Sequence, residues 1–332
     1  IKQNNSKGGD SMIKGLKLKP QYVTLFITLS IFTVLFGISS VKFDGFFSMN
    51  VIMNLFIDNA FLLVTALGMT FVLIIGGIDL SVGAVIALVC MLSANLLSKN
   101  ISPFIVIPLV IIVAGLIGLA HGLFIHYMKL EPFIVTLAGM YFARGLTYII
   151  NGDTIIIDNP FYTKVSQITV PFFGDSFINV NVIVAFLMLG ISIYIAHYTK
   201  FGRNVYAVGG NEQSAKMMGL PVARTKIMVY ALSGIYSGIA GIVFSFYMLS
   251  GYGLHANGVE MDAIASAVIG GTLLTGGVGM MAGTLFGVMI YGIIQTIIMF
   301  DGTLSSWWTK IALGALLCIF IVIQRLLVVK KK

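Results

Sequence analysis

Apolar stretches about as long as a bilayer is thick recur from one end of this chain to the other. A helix rises 1.5 Å per residue, so roughly 20 apolar residues cross a hydrocarbon core about 30 Å thick. Such runs lie at about 21–41, 51–75, 80–98, 103–127, 132–150, 180–198, 225–250, 261–276, 280–299 and 308–328. The chain therefore reads as an all-α polytopic membrane protein with about ten transmembrane helices. Composition agrees: of 332 residues 58% are hydrophobic and 10% charged, where a soluble domain carries about 25% charged residues. The 37 glycines suit helices that approach closely or break within the membrane.

The charges give the orientation. Fifteen of the twenty Lys and Arg fall on one side: five in the first twenty residues, Lys129, five between Lys200 and Lys226, and Arg325 with Lys330–Lys332. Lys42, Lys99, Lys164 and Lys310 fall on the other side, and Arg144 lies within a span. The positive-inside rule makes the majority side cytoplasmic. Residues 1–20 then form a cytoplasmic tail, 21–328 a single transmembrane domain, and 329–332 a second cytoplasmic tail. The net charge of +8 is explained by this placement and not by nucleic-acid binding. The first apolar run is too long for a signal-peptide core and lacks a small-residue cleavage site. A polar segment at about 151–180, with Asp153, Asp158, Pro160, Pro171 and Asp175, reads as a periplasmic loop: a connection, or a docking surface for an external partner.

Two features suggest duplicated halves. Asp79–Ala87 aligns without gaps on Asp262–Gly270, sharing the Asp and an Ala-Val-Ile, and Gly118–Gly122 matches Gly283–Gly287. Gly76-Gly77-Ile78-Asp79 and Thr275-Gly276-Gly277-Val278-Gly279 each interrupt an apolar run. Irregular backbone at membrane depth survives only against protein or a water-filled cavity, and transporters built from repeats place broken helices near their pathway.

The ionisable groups nearest to apolar surroundings are Asp58, Asp79, Arg144, Glu260 and Asp262. Each must face protein or water. Asp79 and Asp262 cap or pack helices, or line a polar path; Arg144 neutralises a nearby acid, or serves the path. Asn54, Asn59, Thr65, Asn95 and Tyr141 hydrogen-bond a passing solute or join helices. The candidate pathway set is thus Asn54, Asp58, Asn59, Asp79, Asn95, Tyr141 and Asp262. Cys90 and Cys318 both sit in apolar runs, as packing residues. The four histidines lack ligand spacing, so no metal site is expected. The sequence holds no phosphate-binding G-x-x-x-x-G-K-[ST] loop and no catalytic Ser/His/Asp or Cys/His constellation, so it is expected to bind no ATP and no cofactor itself.

The one long basic segment between spans is Phe201–Ile227, at about 200–226 a cytoplasmic loop with Lys200, Arg203, Lys216, Arg224 and Lys226 against Glu212. Gly219 followed by Pro221 supplies a helix stop. Met217, Met218 and Leu220 give an apolar face suited to a partner's groove. A plain solvated loop is the bland reading.

GGIDLSVGAVIAL (76–88) and VYAVGGNEQSAKMMGLPVARTKI (205–227) resemble the integral permeases of ribose- and galactose-type sugar ABC importers, over about residues 20–328. VEMDAIASAVIGGTLLTGGVG (259–279) with FDGTLSSWWTKI (300–311) is similar to the second permease of bacterial galactofuranose importers. The resemblance implies a multi-pass subunit of the bacterial inner membrane, non-catalytic, forming half of a pathway for a monosaccharide. It implies three protein partners: an ATPase that uses ATP and Mg, a second permease (distinct or identical), and an external sugar-binding protein. It maps ATPase coupling onto Asn211, Glu212, Ala215, Met217, Met218, Gly219 and Pro221, although the EAA triplet of some importers is absent. The rival class is an ion-driven secondary transporter, which needs a membrane carboxylate that titrates; Asp58 is the best placed.

Overall fold

A computed structural model of the chain describes residues 20–171, 176–305 and 307–329, with side chains from 25 to 322 within those bounds. The two expected tails, 1–19 and 330–332, and Asp175 lie outside the described residues. Among the described residues there are fourteen helices and two short ribbons. α1 (Pro20–Lys42) leads to α2 (Met49–Asp58) and α3 (Ala60–Ile74), which meet at 55°. Ser48 caps α2 by accepting from the Val51 N–H. At the bend, Asn59 donates its side-chain amide to the Leu55 carbonyl. α4 (Val82–Ser98), α5 (Pro103–Tyr127) and α6 (Pro132–Ile150) follow. Proline opens α5 and α6, where its missing N–H costs nothing and its φ is already helical.

The polar segment at about 151–180 is ordered where it is described. It holds β1 (Ile155–Ile156), α7 (Pro160–Gln167), β2 (Thr169–Pro171) and β3 (Phe177–Asn179), the last two paired antiparallel. Then come α8 (Val180–Tyr198), α9 (Lys200–Gly210), α10 (Glu212–Met217), α11 (Val222–Met248), β4 (Ser250–Gly251), α12 (Val259–Ile269), α13 (Met281–Asp301) and α14 (Trp307–Val329). β4 pairs with β1.

A helix stands at each of the ten apolar runs, yet not all are of spanning length. Six pass by length and composition: Leu25–Lys42 of α1, then α5, α6, α8, α11 and α13; the bent α2–α3 pair makes a seventh. α4 and the described part of α14 are shorter. α12 has 11 residues, about 16 Å, half the thickness of a bilayer core.

Helix burial sorts the bundle into a centre and a rim. α3 is buried from Leu62 to Ile74 on every side, and α4 and α12 nearly so. A helix apolar all round belongs inside other helices. α5 and α6 instead expose one broad apolar flank each, including Phe104, Leu116, Phe133, Phe142 and Ile149, as lipid-facing helices do. α5 crosses α11 at backbone contact. A Cβ on Gly122 would lie 2.7 Å from Cα of Ile227, and one on Gly118 3.0 Å from the Gly234 nitrogen. Small residues four apart allow this approach, and packing and polar contacts, not hydrophobic expulsion, hold helices together in lipid.

The aligned segments enter their helices at different points. Asp79 stands three residues before the first residue of α4, and Asp262 three residues after the first residue of α12.

Candidate functional site

The polar loop folds into two helices on one rigid footing. Thr199 caps α9 by accepting from Gly202 N–H, and Asn211 caps α10 by accepting from Ser214 N–H at 2.8 Å. Ala215 is fully buried in a small apolar cluster with Val208, Val222 and Leu220. Glu212 takes an ion pair from Lys226 of α11 at 2.6 Å, which ties α10 to the helix it precedes. α10 ends in a Schellman turn: Gly219, at φ +73°, donates to the Lys216 carbonyl and Leu220 donates to that of Ala215. Pro221 then caps α11. The expected apolar face is split. Leu220 turns in to the cluster, while Met217 and Met218 stand 89% and 66% exposed.

Sequence reading took 200–210 for loop; it is α9, with Gly202, Val205 and Val208 as its buried stripe. The i, i+3, i+6 spacing of those residues was the available signal. The far end of α9 meets both glycine breaks. Gly76, at φ +77°, closes α3 in a Schellman turn through Gly76 to Leu73 and Gly77 to Val72. Gly276 and Gly277, both at positive φ, form the turn between α12 and α13. Gly277 N–H donates to the Ile74 carbonyl at 2.8 Å. A Cβ on Gly276 would lie 2.9 Å from the Gly209 carbonyl oxygen and 3.0 Å from the Gly76 nitrogen, and a Cβ on Gly209 would overlap the Ile74 carbonyl. Tyr206 adds a hydrogen bond from its hydroxyl to the Gly279 carbonyl at 2.9 Å. Burial pushes that phenol up to about 12, so it remains a donor at neutral pH. Three chain segments thus meet largely through backbone atoms, with Gly209 three residues before the start of α10.

Asp79 lies just beyond this joint and is buried. One carboxylate oxygen accepts from Ser81 N–H at 3.0 Å and Ser81 Oγ at 2.6 Å, and the other from Ser233 Oγ of α11 at 2.7 Å. It fixes the entry to α4 and pins it to α11. Hydrogen bonds to a charged group contribute about 1.5–3 kcal/mol each. Asp79→Ala is therefore expected to destabilise the fold by about 3 kcal/mol or more, and Ser233→Ala by about 1 kcal/mol. Thermal unfolding in detergent ranks them; equal, small effects would show that Asp79 has no structural role.

A second polar region surrounds the segment from Leu249 to Gly258. Gly251 packs on Ala94 and Met91 of α4, whereas the Ala256 carbonyl and the Glu260 carboxylate reach Gly83. Between those contacts the segment follows α4 for 11 residues, about 16 Å. It does not merely join two spans but descends into the bundle, and α12 starts there. Arg144 of α6 holds it, donating to the carbonyls of Gly253 and His255 at 2.7 Å each. Arg144 thus bonds these two carbonyls and also lies near an acid, Glu260, close enough for the two charges to attract without forming an ion pair. Asp262 receives Lys310 at 2.6 and 2.7 Å and the Tyr291 hydroxyl at 3.3 Å. Asp58 accepts from Tyr247 at 3.1 Å. Asn59 abuts Gly292, the residue after Tyr291.

The candidate pathway residues are therefore dispersed. Asp58 and Asn59 share the α2–α3 bend near α13, Asn54 stands exposed about one turn earlier on α2, and Asp262 reaches α13 from α12. Asp79 belongs to the α4 entry; Asn95 is near the other end of α4. Tyr141 is 67% exposed on α6. Tyr247 and Tyr291 escaped sequence reading, and Lys310 enters it only as an outside charge, although a lone lysine at the head of an apolar run was a usable signal. Among the described residues no group of three or more His, Cys, Asp or Glu is placed to hold a metal.

Residues 51–321 match the family described as branched-chain amino acid transport system / permease component. The chain is 48% identical over 302 residues to the inner membrane ABC transporter permease protein YjfF of Escherichia coli, covering 91% of each. It is 34% identical to the fructose import permease protein FruG of Bifidobacterium longum, over 94% of this chain and 93% of that one. It is 35% identical to the ribose import permease protein RbsC of Bacillus subtilis, over 78% and 80%. No solved structure matches it.

Proposed function

The chain belongs to the permease-component family of branched-chain amino acid transport systems, and from that membership we propose that it is the non-catalytic permease subunit of an ATP-driven sugar importer in the bacterial inner membrane. Relatives named for ribose and fructose import span nearly its whole length, which supports a monosaccharide as the solute. The similarity of 259–279 and 300–311 to galactofuranose permeases favours a galactose-like sugar. The proposed architecture has ten membrane passes, α2–α3 counted as one, with duplicated halves and both termini cytoplasmic.

One observation carries the mechanism: the exposed Met217 and Met218 stand at the end of a short helix that begins three residues after Gly209, in the joint of α3, α9 and the α12–α13 turn. ATP and Mg bind a separate ATPase, whose groove takes the two methionines. Closure of the ATPase pair moves α10 with α9, and the backbone joint passes that movement to α3 and α12 as a rigid-body tilt. Asn211, Glu212, Ala215, Gly219 and Pro221 hold α10 in shape for this. Asn54, Asp58, Asn59 and Asp262, with Tyr247 and Tyr291, would face the sugar, Asp79, Asn95 and Tyr141 having less to recommend them. A second permease, distinct or identical, completes the path, and an external binding protein delivers the sugar.

The test is co-purification in mild detergent followed by uptake in vesicles. An ATPase should accompany the wild-type chain, be lost with Gly219→Asp, and be required for uptake with ATP. Uptake that persists without ATP and collapses with an ionophore would overturn the proposal in favour of an ion-driven carrier.

A further inference from the structure

An apolar groove of about 640 Å³ runs between α5 and α6. Leu116, Phe124, Ile134 and Phe142 line it, and Leu130 stands at its end. Leu130 also lines a second cavity, of about 540 Å³, bounded by the α5–α6 turn, α10 and the start of α11. That cavity is polar where the groove is not: His126, Lys129, Glu131, Glu212, Lys216 and Lys226 surround it. Lys226 and Glu212 neutralise each other. Lys129 and Lys216 have no carboxylate partner among the described residues. The charge left unpaired is two lysines against Glu131.

We infer that this groove and the adjoining pocket, which meet at Leu130, hold one anionic phospholipid, with an acyl chain between α5 and α6 and the phosphate at Lys129 and Lys216. The charge distribution puts the lysines at the cytoplasmic end, where headgroups of the inner leaflet lie. Bilayer tails are as apolar as the leucines they would touch, so the groove cannot choose among lipids. It supplies a seat, and selection falls to the charged end. Basic pockets between helices at the cytoplasmic face are suited to anionic headgroups, at roughly 1 kcal/mol, or about fivefold, for each lysine near the surface. His121 is the single polar side chain lining the groove; it is 5% exposed and its Nδ1 has no hydrogen-bond partner. Lys216 belongs to α10 itself, so the headgroup would bear on the same helix that meets the ATPase. The assignment holds whichever solute the chain carries.

The experiment is native mass spectrometry of the full transporter, titrated with phosphatidylglycerol, phosphatidylethanolamine and phosphatidylcholine of identical chains. Phosphatidylglycerol should bind about tenfold or more tightly than the other two. Lys129→Gln and Lys216→Gln should each lower its affinity about fivefold and leave phosphatidylcholine unchanged, while Glu131→Gln should raise it. Ala138→Trp, at an exposed groove position, should weaken all three lipids alike. Equal binding of the three lipids, or indifference to both lysine variants, would overturn the inference. So would displacement of phosphatidylglycerol by soluble glycerol phosphate at millimolar concentration, which would make the pocket a free-phosphate site. A disulfide joining Ala138→Cys to the second permease would also overturn it, by showing that a subunit covers the groove.

Discussion

Replacing Met217 and Met218 together by glutamate is expected to reduce ATP-driven uptake at least 100-fold and to abolish co-purification of the ATPase. Both side chains are among the most exposed apolar groups of the chain, and α10 is held by other residues: the Asn211 cap, the Glu212–Lys226 pair and the buried Ala215. Exposed substitutions away from such features change stability by about 0.5 kcal/mol or less. The few hot-spot side chains of an interface cost about 2 kcal/mol or more each when lost, and two carboxylates in an apolar groove add a desolvation penalty. The melting temperature of the purified chain should therefore match the wild type while uptake fails. Retained ATPase binding with normal uptake would remove α10 from the contact.

Gly209→Ala should have the largest effect of any single methyl group in the protein. Its Cβ would fall on the Ile74 carbonyl and within 2.9 Å of the Gly277 nitrogen. These are backbone atoms, and no rotamer change relieves the clash. Overpacking a rigid contact costs about 1–3 kcal/mol, and more when backbone must shift. The expected result is a large fall in melting temperature and, in any protein that survives, uptake lost out of proportion to ATPase binding. Gly210→Ala is the control. The next residue has open space around its Cβ position, so that variant should resemble the wild type. If both variants behave alike, the joint does not constrain the fold.

The sequence showed where helices lie because the run of apolar residues is itself the physical requirement for burial in lipid. It showed Gly76 and Gly276–Gly277 as breaks because glycine tolerates positive φ. It did not show that the two breaks touch each other and Gly209, since backbone-to-backbone contact leaves no side-chain pattern. The descent of 249–258 was hidden for a related reason. Two of its carbonyls are satisfied by Arg144, 109 residues away from Gly253, and sequence spacing carries no trace of that pairing. Leu220 was read as part of an exposed face because it follows two methionines, but the Schellman turn at Gly219 reverses its direction. Tyr141 was chosen for its chemistry alone, and chemistry does not say which side of α6 it stands on.

The pairing of Arg144 with the carbonyls of Gly253 and His255 also bears on how the protein is made. Synthesis adds about 5–20 residues per second, so the carbonyl that Arg144 awaits emerges about 5–20 s after the guanidinium does. For that interval α6 carries a charge six residues from its end, at a cost below the roughly 2.5–3.5 kcal/mol of a central position. α6 thus stays poorly seated in the bilayer until the second half of the chain arrives. A chain that stops before Gly253 lacks the two carbonyls that Arg144 bonds, so it is expected to hold α6 less firmly in the membrane than the full chain does.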